Sequence, residues 1–161
     1  MQDEAWRAAA ARYRDMVWRV ACNACSHRQD AEDITQDVFL KLYATRRTFA
    51  DDDHLKRWLL RVTLNACKSR WRSPWHARRA DPETLPEPAA PDPGPDRDAA
   101  LALLDAVRAL PEQSRVVIYL YYYEDLPTAE IAKLLGIRQT AVTTRLQRAR
   151  EALRAALADW E

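Results

Sequence analysis

The chain has 161 residues, enough for one domain or two small ones, and its formal net charge of +1 excludes a protein that holds nucleic acid by overall charge. With 48% hydrophobic residues it is not a disordered chain, and its two glycines leave almost no material for a nucleotide-cradling loop. Three cysteines, an odd number, argue against a disulfide framework.

No run approaches the ~18 apolar residues of a membrane span, so no membrane insertion is expected. The opening stretch MQDEAWRAAAARYRD is charged throughout and lacks a signal-peptide core, which predicts a cytoplasmic protein. Alanine, leucine and arginine dominate and β-branched alternation is nearly missing. The predicted class is all-α.

From Glu4 to Cys25, Trp6, Ala9, Tyr13, Met16, Val17, Val20 and Ala24 recur at helical spacing. After His27 and Arg28, Asp30 reads as an N-cap of a second helix, with Glu32 and Asp33 in a first turn where the helix dipole favours them. This helix carries Ile34, Val38, Phe39 and Leu42 and fades near Thr45. Its polar side, with Asp30, Asp33, Gln36, Asp37 and Lys41, is unusually acidic. The aspartates 51–53 offer the next cap. A third helix follows with Leu55, Trp58, Leu59, Val62 and Ala66 inward and Lys56, Arg57, Arg61, Asn65, Lys68 and Arg72 largely outward. Pro74 stops it. Three helices with short connections predict a bundle over residues 1–73.

Residues 74–97 hold seven of the nine prolines, a density that no helix or strand survives. This segment reads as a linker biased toward polyproline II, able to reach roughly 70 Å at about 3.1 Å per residue. A second domain, residues 98–161, opens on the amphipathic LALLDAVRAL. Pro111 reads as the first residue of the next helix, which runs through Val116, Val117, Leu120 and Tyr121 toward Tyr123. Then comes TAEIAKLLGIRQTAVTTRLQRAR, from Thr128 to Arg150. Ile131, Leu135, Ile137 and Val142 can hold two helices together, Ala132 is small at their crossing, and Gly136 permits a sharp turn. This is the sequence form of a helix-turn-helix, with a last helix continuing to about Asp159. Its first helix is either capped by Thr128 or opened by Pro127.

Charge is distributed locally. Leu55 to Arg79 contains eight Lys or Arg and no acidic residue, and Arg138 to Arg154 contains five arginines against Glu151. Cys22, Cys25 and His27 form CxxCxH, a spacing open to zinc with Cys67 as a fourth ligand. The cysteines, however, occupy an amphipathic helix where small apolar side chains pack, and no metal or other cofactor is assigned. No nucleophile–base set or catalytic carboxylate pair is present, so the chain does not read as an enzyme.

DAEDITQDVFLKLY (30–43), HLKRWLLRVTLNACKSRWRSPW (54–75), the proline-rich linker and LPEQSRVVIYLYYYEDLPTAEIAKLLGIRQTAVTTRLQRAREAL (110–153) together resemble an extracytoplasmic-function (ECF) sigma factor. In this branch of the sigma-70 family, regions 2 and 4 stand alone. The resemblance implies two helical domains, a three-helix region 2 bundle and a four-helix region 4 with a helix-turn-helix. It implies core RNA polymerase (β′ and β subunits) and promoter DNA as partners, with an anti-sigma factor as regulator.

Residue by residue, the resemblance assigns polymerase docking to Asp30, Glu32, Asp33, Gln36, Asp37 and Phe39. It assigns recognition and melting of the -10 element to Lys56, Arg57, Trp58, Arg61, Asn65 and Lys68, with the loop 49–53 where the family forms a pocket for an extruded base. Trp58 has core spacing as well, and three aspartates in that loop depart from the family pattern. Recognition of the -35 element falls to Thr143, Thr144, Gln147 and Arg148 at base edges or the nearest phosphates. Arg138, Thr140, Arg145 and Arg150 are assigned to the backbone. Arg150 and Arg154 are open to a second reading, covering the helix surface or pairing with Glu151. A helix-turn-helix regulator acting without polymerase is the alternative, and it leaves the acidic second helix and the basic third helix without a shared purpose.

Overall fold

The structure, a computed structural model, describes residues 1–72 and 97–158. Among these residues there are α1 (Asp3–Ala24), α2 (Arg28–Ala44), α3 (Asp52–Trp71), α4 (Arg97–Arg108), α5 (Glu112–Ile118), a π-helical turn (Tyr119–Tyr123), α6 (Thr128–Leu135) and α7 (Gln139–Ala156), with no strand. The all-α reading holds. Contacts divide the chain into two units, Met1–Pro88 and Ala89–Glu161. The segment read as a linker lies outside the described residues except for Arg97, which opens α4.

In the first unit α1 packs against α2 and α3, and α2 against α3. The apolar periodicity of α1 and α2 converges on Val17, Val20, Ile34, Val38 and Leu42, each at 1% exposure or less. Burying each such side chain contributes about 1.5–3 kcal/mol relative to leaving it in water. Two tryptophans add directional ties. Trp6 Nε1 donates to the Phe39 carbonyl at 2.8 Å, and Trp71 Nε1 donates to the Ala24 carbonyl at 2.7 Å. Asp51 caps α3 as expected, its carboxylate accepting from the His54 amide at 2.8 Å.

Two local expectations are corrected. The buried stripe of α3 is Leu59, Leu60, Thr63, Leu64 and Cys67, whereas Leu55, Trp58, Val62 and Ala66 are half-buried. The helix is turned by about one residue step, some 100°, from the expected phase. Its apolar residues cover more than half its circumference, and the shape left by α1 and α2 selects which of them go inside. Secondly, α2 begins at Arg28 after His27, so Asp30 is not its N-cap. Asp30 is instead 4% exposed and accepts from Arg70 Nη1 on α3 at 2.7 Å. Removing the carboxylate strands a guanidinium that is only one-third exposed. Asp30→Ala is therefore expected to destabilise the unit by roughly 2–3 kcal/mol, less than for a fully buried pair, and chemical denaturation checks it. A loss under about 0.5 kcal/mol would make the pair energetically idle.

The three cysteines are all buried. Among the described residues no group of three or more His, Cys, Asp or Glu is placed to hold a metal ion. No helix among them is long and apolar enough to cross a membrane.

In the second unit α7 is the hub, with α4, α5 and α6 all packed on it. Val116, Val117, Leu120, Ile131 and Val142 are completely buried, with Leu135 and Leu146 at 2%. Ala132 and Ala149 are buried too, and their small side chains let helices approach closely. Gly136 adopts φ 68° and ψ 35° at the end of α6, where a Cβ would be penalised. The Ile137 amide returns to the Ala132 carbonyl at 3.1 Å and closes the turn. Arg115, 4% exposed, donates from Nη1 to the Arg108 carbonyl at 3.1 Å, satisfying the end of α4.

Pro111 and Pro127 each precede their helix as N-cap residues, so neither is a first helical residue. No side-chain hydrogen bond caps α6; the Thr128 hydroxyl accepts from Gln139 Nε2 at 2.9 Å and so ties α6 to the start of α7. The helix expected to run to Tyr123 changes to π geometry at Tyr119, with the Glu124 amide reaching back five residues to the Tyr119 carbonyl at 3.2 Å. α7 ends at Ala156, and Asp159 lies outside the described residues.

Candidate protein-docking and nucleic-acid surfaces

On α2 the acidic residues divide by depth. Glu32, Gln36 and Asp37 are exposed and Asp33 is half-buried, whereas Asp30 and Phe39 are buried. Asp30 serves the α2–α3 ion pair, and Arg70 Nη2 also lies 4.0 Å from Asp33. Glu32 pairs with Arg28 at 3.0 Å, while Gln29 donates to Asp33 at 2.9 Å. Phe39, at 7% exposure, lines a groove of about 870 Å³ between α1 and α2, together with Trp6, Trp18, Gln36 and Leu40.

Sequence reasoning missed Leu40 and Tyr43, 57% and 47% exposed. Leu40 follows Gln36 and Asp37 by four and three residues, so it shares their side of the helix. That spacing was available as a signal: an apolar residue on a polar face. Tyr43 stands at the end of the same helix, its hydroxyl donating to Asp3 at 2.8 Å and its ring edge-on to Trp6. The bond to the Asp3 carboxylate, with that charge beside it, raises the phenol above its ordinary value. An exposed apolar residue beside the Asp37 carboxylate, on a helix with further exposed acids, suits a partner that offers both apolar and basic groups.

On α3, Arg57, Arg61, Asn65, Lys68 and Arg72 follow one another at steps of four, four, three and four, a single face of the helix. All are exposed except Lys68, which is half-buried. Burial lowers the Lys68 ammonium below the ordinary lysine value, and the positive charges of Arg72 and Arg61 add to it. A phosphate placed there would relieve that repulsion. Lys56 does not join this face; by spacing it lies over Leu60 and Thr63, and it is half-buried.

Trp58 flanks the cationic ridge. Its ring meets Phe49 edge-on at 5.6 Å, and Phe49 meets His54 at 5.3 Å. The His54 Nδ1 accepts from the Ala50 amide at 3.1 Å, which fixes the loop against the helix. Two of the three loop aspartates have local work, since Asp51 caps α3 and Asp52 pairs with Arg12 at 2.6 Å. Their charge is thereby partly countered next to the ridge.

On α7 the buried line is Val142, Leu146 and Ala149. Thr140, Thr144, Gln147 and Arg148 lie across the helix from it and are exposed. Arg138 and Arg145 flank this face on one side, and Thr143 and Arg150 on the other. The Thr143 hydroxyl donates to the Gln139 carbonyl at 3.1 Å and the Thr144 hydroxyl to the Thr140 carbonyl at 2.9 Å. Both threonines therefore present a methyl group and a lone pair, groups that suit a thymine methyl or a donor at a base edge. Gln147 Nε2 donates to the Glu151 carboxylate at 3.4 Å, and among the described residues no arginine forms an ion pair with that carboxylate. Arg145 is half-buried, and desolvation lowers its guanidinium from the ordinary value. Arg150 is held by Tyr122, an arrangement that spacing did not show.

An acidic helix and a cationic ridge on one bundle, with a helix-turn-helix in a second unit, define a two-module transcription protein. Comparison with known families agrees. Residues 9–77 match sigma-70 region 2 and residues 100–153 match sigma-70 region 4. The ECF RNA polymerase sigma factor SigL of Mycobacterium tuberculosis is 31% identical over 146 residues, covering 88% of this chain and 82% of SigL. SigE of Mycolicibacterium smegmatis, also named an ECF RNA polymerase sigma factor, is 30% identical over 159 residues; the match covers 95% of this chain but spans 62% of SigE. The sigma factor RpoE of Bartonella quintana, solved in complex with the anti-sigma factor NepR, is alike in fold, with a TM-score of 0.67 over 96% of this chain and 98% of that one at 22% identity. The chain belongs to the ECF sigma factors of the sigma-70 family.

Proposed function

We propose that this protein is a dissociable subunit of bacterial RNA polymerase, active in the cytoplasm, that selects promoters and helps to open them. Residues 1–73 form the module that holds core polymerase and melts the -10 region. Residues 74–97 form the linker, and residues 98–161 the module that reads the -35 element. The observation that carries this reading is the pairing of two unlike faces on one bundle, the exposed acids of α2 and the cationic ridge of α3. A regulator that only bound duplex DNA would have no use for the first.

Glu32, Asp33, Gln36 and Asp37 dock on a basic surface of the β′ subunit around Leu40. Arg57, Arg61, Asn65 and Lys68 track the backbone of the separating strands, and Trp58 with Phe49 supplies flat apolar surface beside an unstacked base. Thr143, Thr144, Gln147 and Arg148 enter the major groove, with Arg138, Thr140, Arg145 and Arg150 toward phosphates. The protein has no catalytic step of its own; RNA synthesis belongs to the polymerase. An anti-sigma factor that covers these same faces would hold it inactive.

Run-off transcription with purified core polymerase lacking sigma tests this. Addition of the chain is expected to produce discrete transcripts from a library of promoter fragments. Binding to core polymerase without any initiation would overturn the promoter-opening role. Tight duplex binding without polymerase binding would overturn the whole assignment.

A further inference from the structure

α5 is followed without a break by the π-turn Tyr119–Tyr123, and the wider turn changes the direction in which the tyrosines leave the helix. An α-helix continued through the same residues would carry them round at 100° per residue and set them differently against α7. In the observed geometry Tyr121 and Tyr122 stand edge-on to each other at 5.0 Å, with Tyr122 55% exposed. The Arg150 guanidinium lies 5.6 Å from the centre of the Tyr121 ring and 5.5 Å from that of Tyr122. Its Nε donates to the Tyr122 hydroxyl at 2.6 Å. The bond to Tyr122 raises the arginine above its ordinary value, so the positive charge is stabilised there.

With Nε given to the Tyr122 hydroxyl and Tyr121 a second hydrogen-bonding neighbour, the terminal amino groups of Arg150 still hold N–H donors enough for a further acceptor. A long arginine on an exposed helix edge otherwise loses rotamer freedom when it grips an anion, and a pre-set side chain loses less. The Tyr122 hydroxyl, accepting from Arg150, keeps its own hydrogen to donate. Arg150 and Tyr122 together therefore present several donors at the edge of α7 that also carries Thr143.

We infer that Tyr122 is a positioning residue for promoter binding: the π-turn places it to hold Arg150 in the conformation that clamps a backbone phosphate beside the groove read by α7. The inference rests on the reading of α7 as the DNA-reading helix. It adds a residue outside the helix-turn-helix to the nucleic-acid surface.

Because a phosphate clamp is indifferent to sequence, an arbitrary fluorescent duplex of about 30 base pairs is a sufficient probe. Binding of the full-length chain is measured by anisotropy across a salt series beginning near 20 mM. Arg150→Ala and Tyr122→Phe are each expected to weaken binding by about three- to tenfold and to flatten the plot of log affinity against log salt by up to ~0.9. The double variant should be no weaker than Arg150→Ala, since the tyrosine acts through the arginine. A purely structural staple would lower the melting temperature and leave the salt slope at the parental value, and that result overturns the inference. So does a Tyr122→Phe chain that binds like the parent while Arg150→Ala does not. Arg148→Ala separates the two readings. If it weakens binding while the Tyr122 and Arg150 variants do not, only the clamp fails. If none of the three alters binding, or the parent chain does not bind the duplex, the reading of α7 falls with it.

Discussion

Replacing Asp37 by lysine is expected to weaken the complex with core polymerase by about 2–4 kcal/mol, or roughly thirty- to a thousandfold, because it sets a like charge against the basic surface proposed as its partner. The substitution should leave the fold intact. Asp37 is exposed on α2, and among the described residues its side chain has no hydrogen bond or ion pair that helps to hold the bundle. Surface plasmon resonance on immobilised core polymerase gives the affinity, and circular dichroism checks the helix content. The contrast with Asp30 is part of the argument. Asp30 is 4% exposed and occupied by Arg70, so its loss acts through stability. An Asp37→Lys chain that binds polymerase as the parent does would remove α2 from the docking surface.

The second large effect is expected at Arg148. Its side chain is exposed on the face of α7 opposite Val142 and Leu146, one position after Gln147. A bidentate pair with guanine contributes ~1–3 kcal/mol of discrimination, so Arg148→Ala should reduce initiation from -35-dependent promoters about five- to 150-fold. Affinity for core polymerase should not change, because docking is assigned to the other unit. Run-off yield and core affinity, measured on the same preparation, decide the matter. Loss of core affinity with normal initiation at saturating protein would reverse the roles of the two modules. These two substitutions divide one activity into its parts, one removing the enzyme and the other the address.

Much of this was legible in the chain because the relevant signals are local. Helical periodicity gave the elements, and Gly136, in the left-handed region at φ 68°, marked the turn between α6 and α7. The acidic run of α2 and the cationic run of α3 stood out as composition before any fold was known. Asp51 was readable as a cap because its role involves only the amide three residues on.

Other features depended on neighbours distant in sequence. The buried side of α3 differed from the expected one because Leu55, Trp58, Leu59, Leu60, Val62, Leu64, Ala66 and Cys67 form an apolar band too broad to have a single phase. Only the surfaces of α1 and α2 select Leu60 and Leu64 over Val62 and Ala66. Asp30 looked like a cap because nothing in DAEDITQD shows that Arg70, forty positions later, will reach it. Leu40 was the converse, an exposed leucine whose spacing with Asp37 was visible but whose exposure needed the packed bundle.

What the sequence by itself determined is therefore the all-α class, the helix-turn-helix, the order of the two modules and the sign of charge on each helix. Each of these is carried by residues within a few turns of one another. The tertiary structure alone decided which acids of α2 face outward, which side of α3 is buried, and that Tyr122 holds Arg150 twenty-eight positions away. Those outcomes are settled by packing between elements, where small differences in burial choose among alternatives that local preference leaves equal.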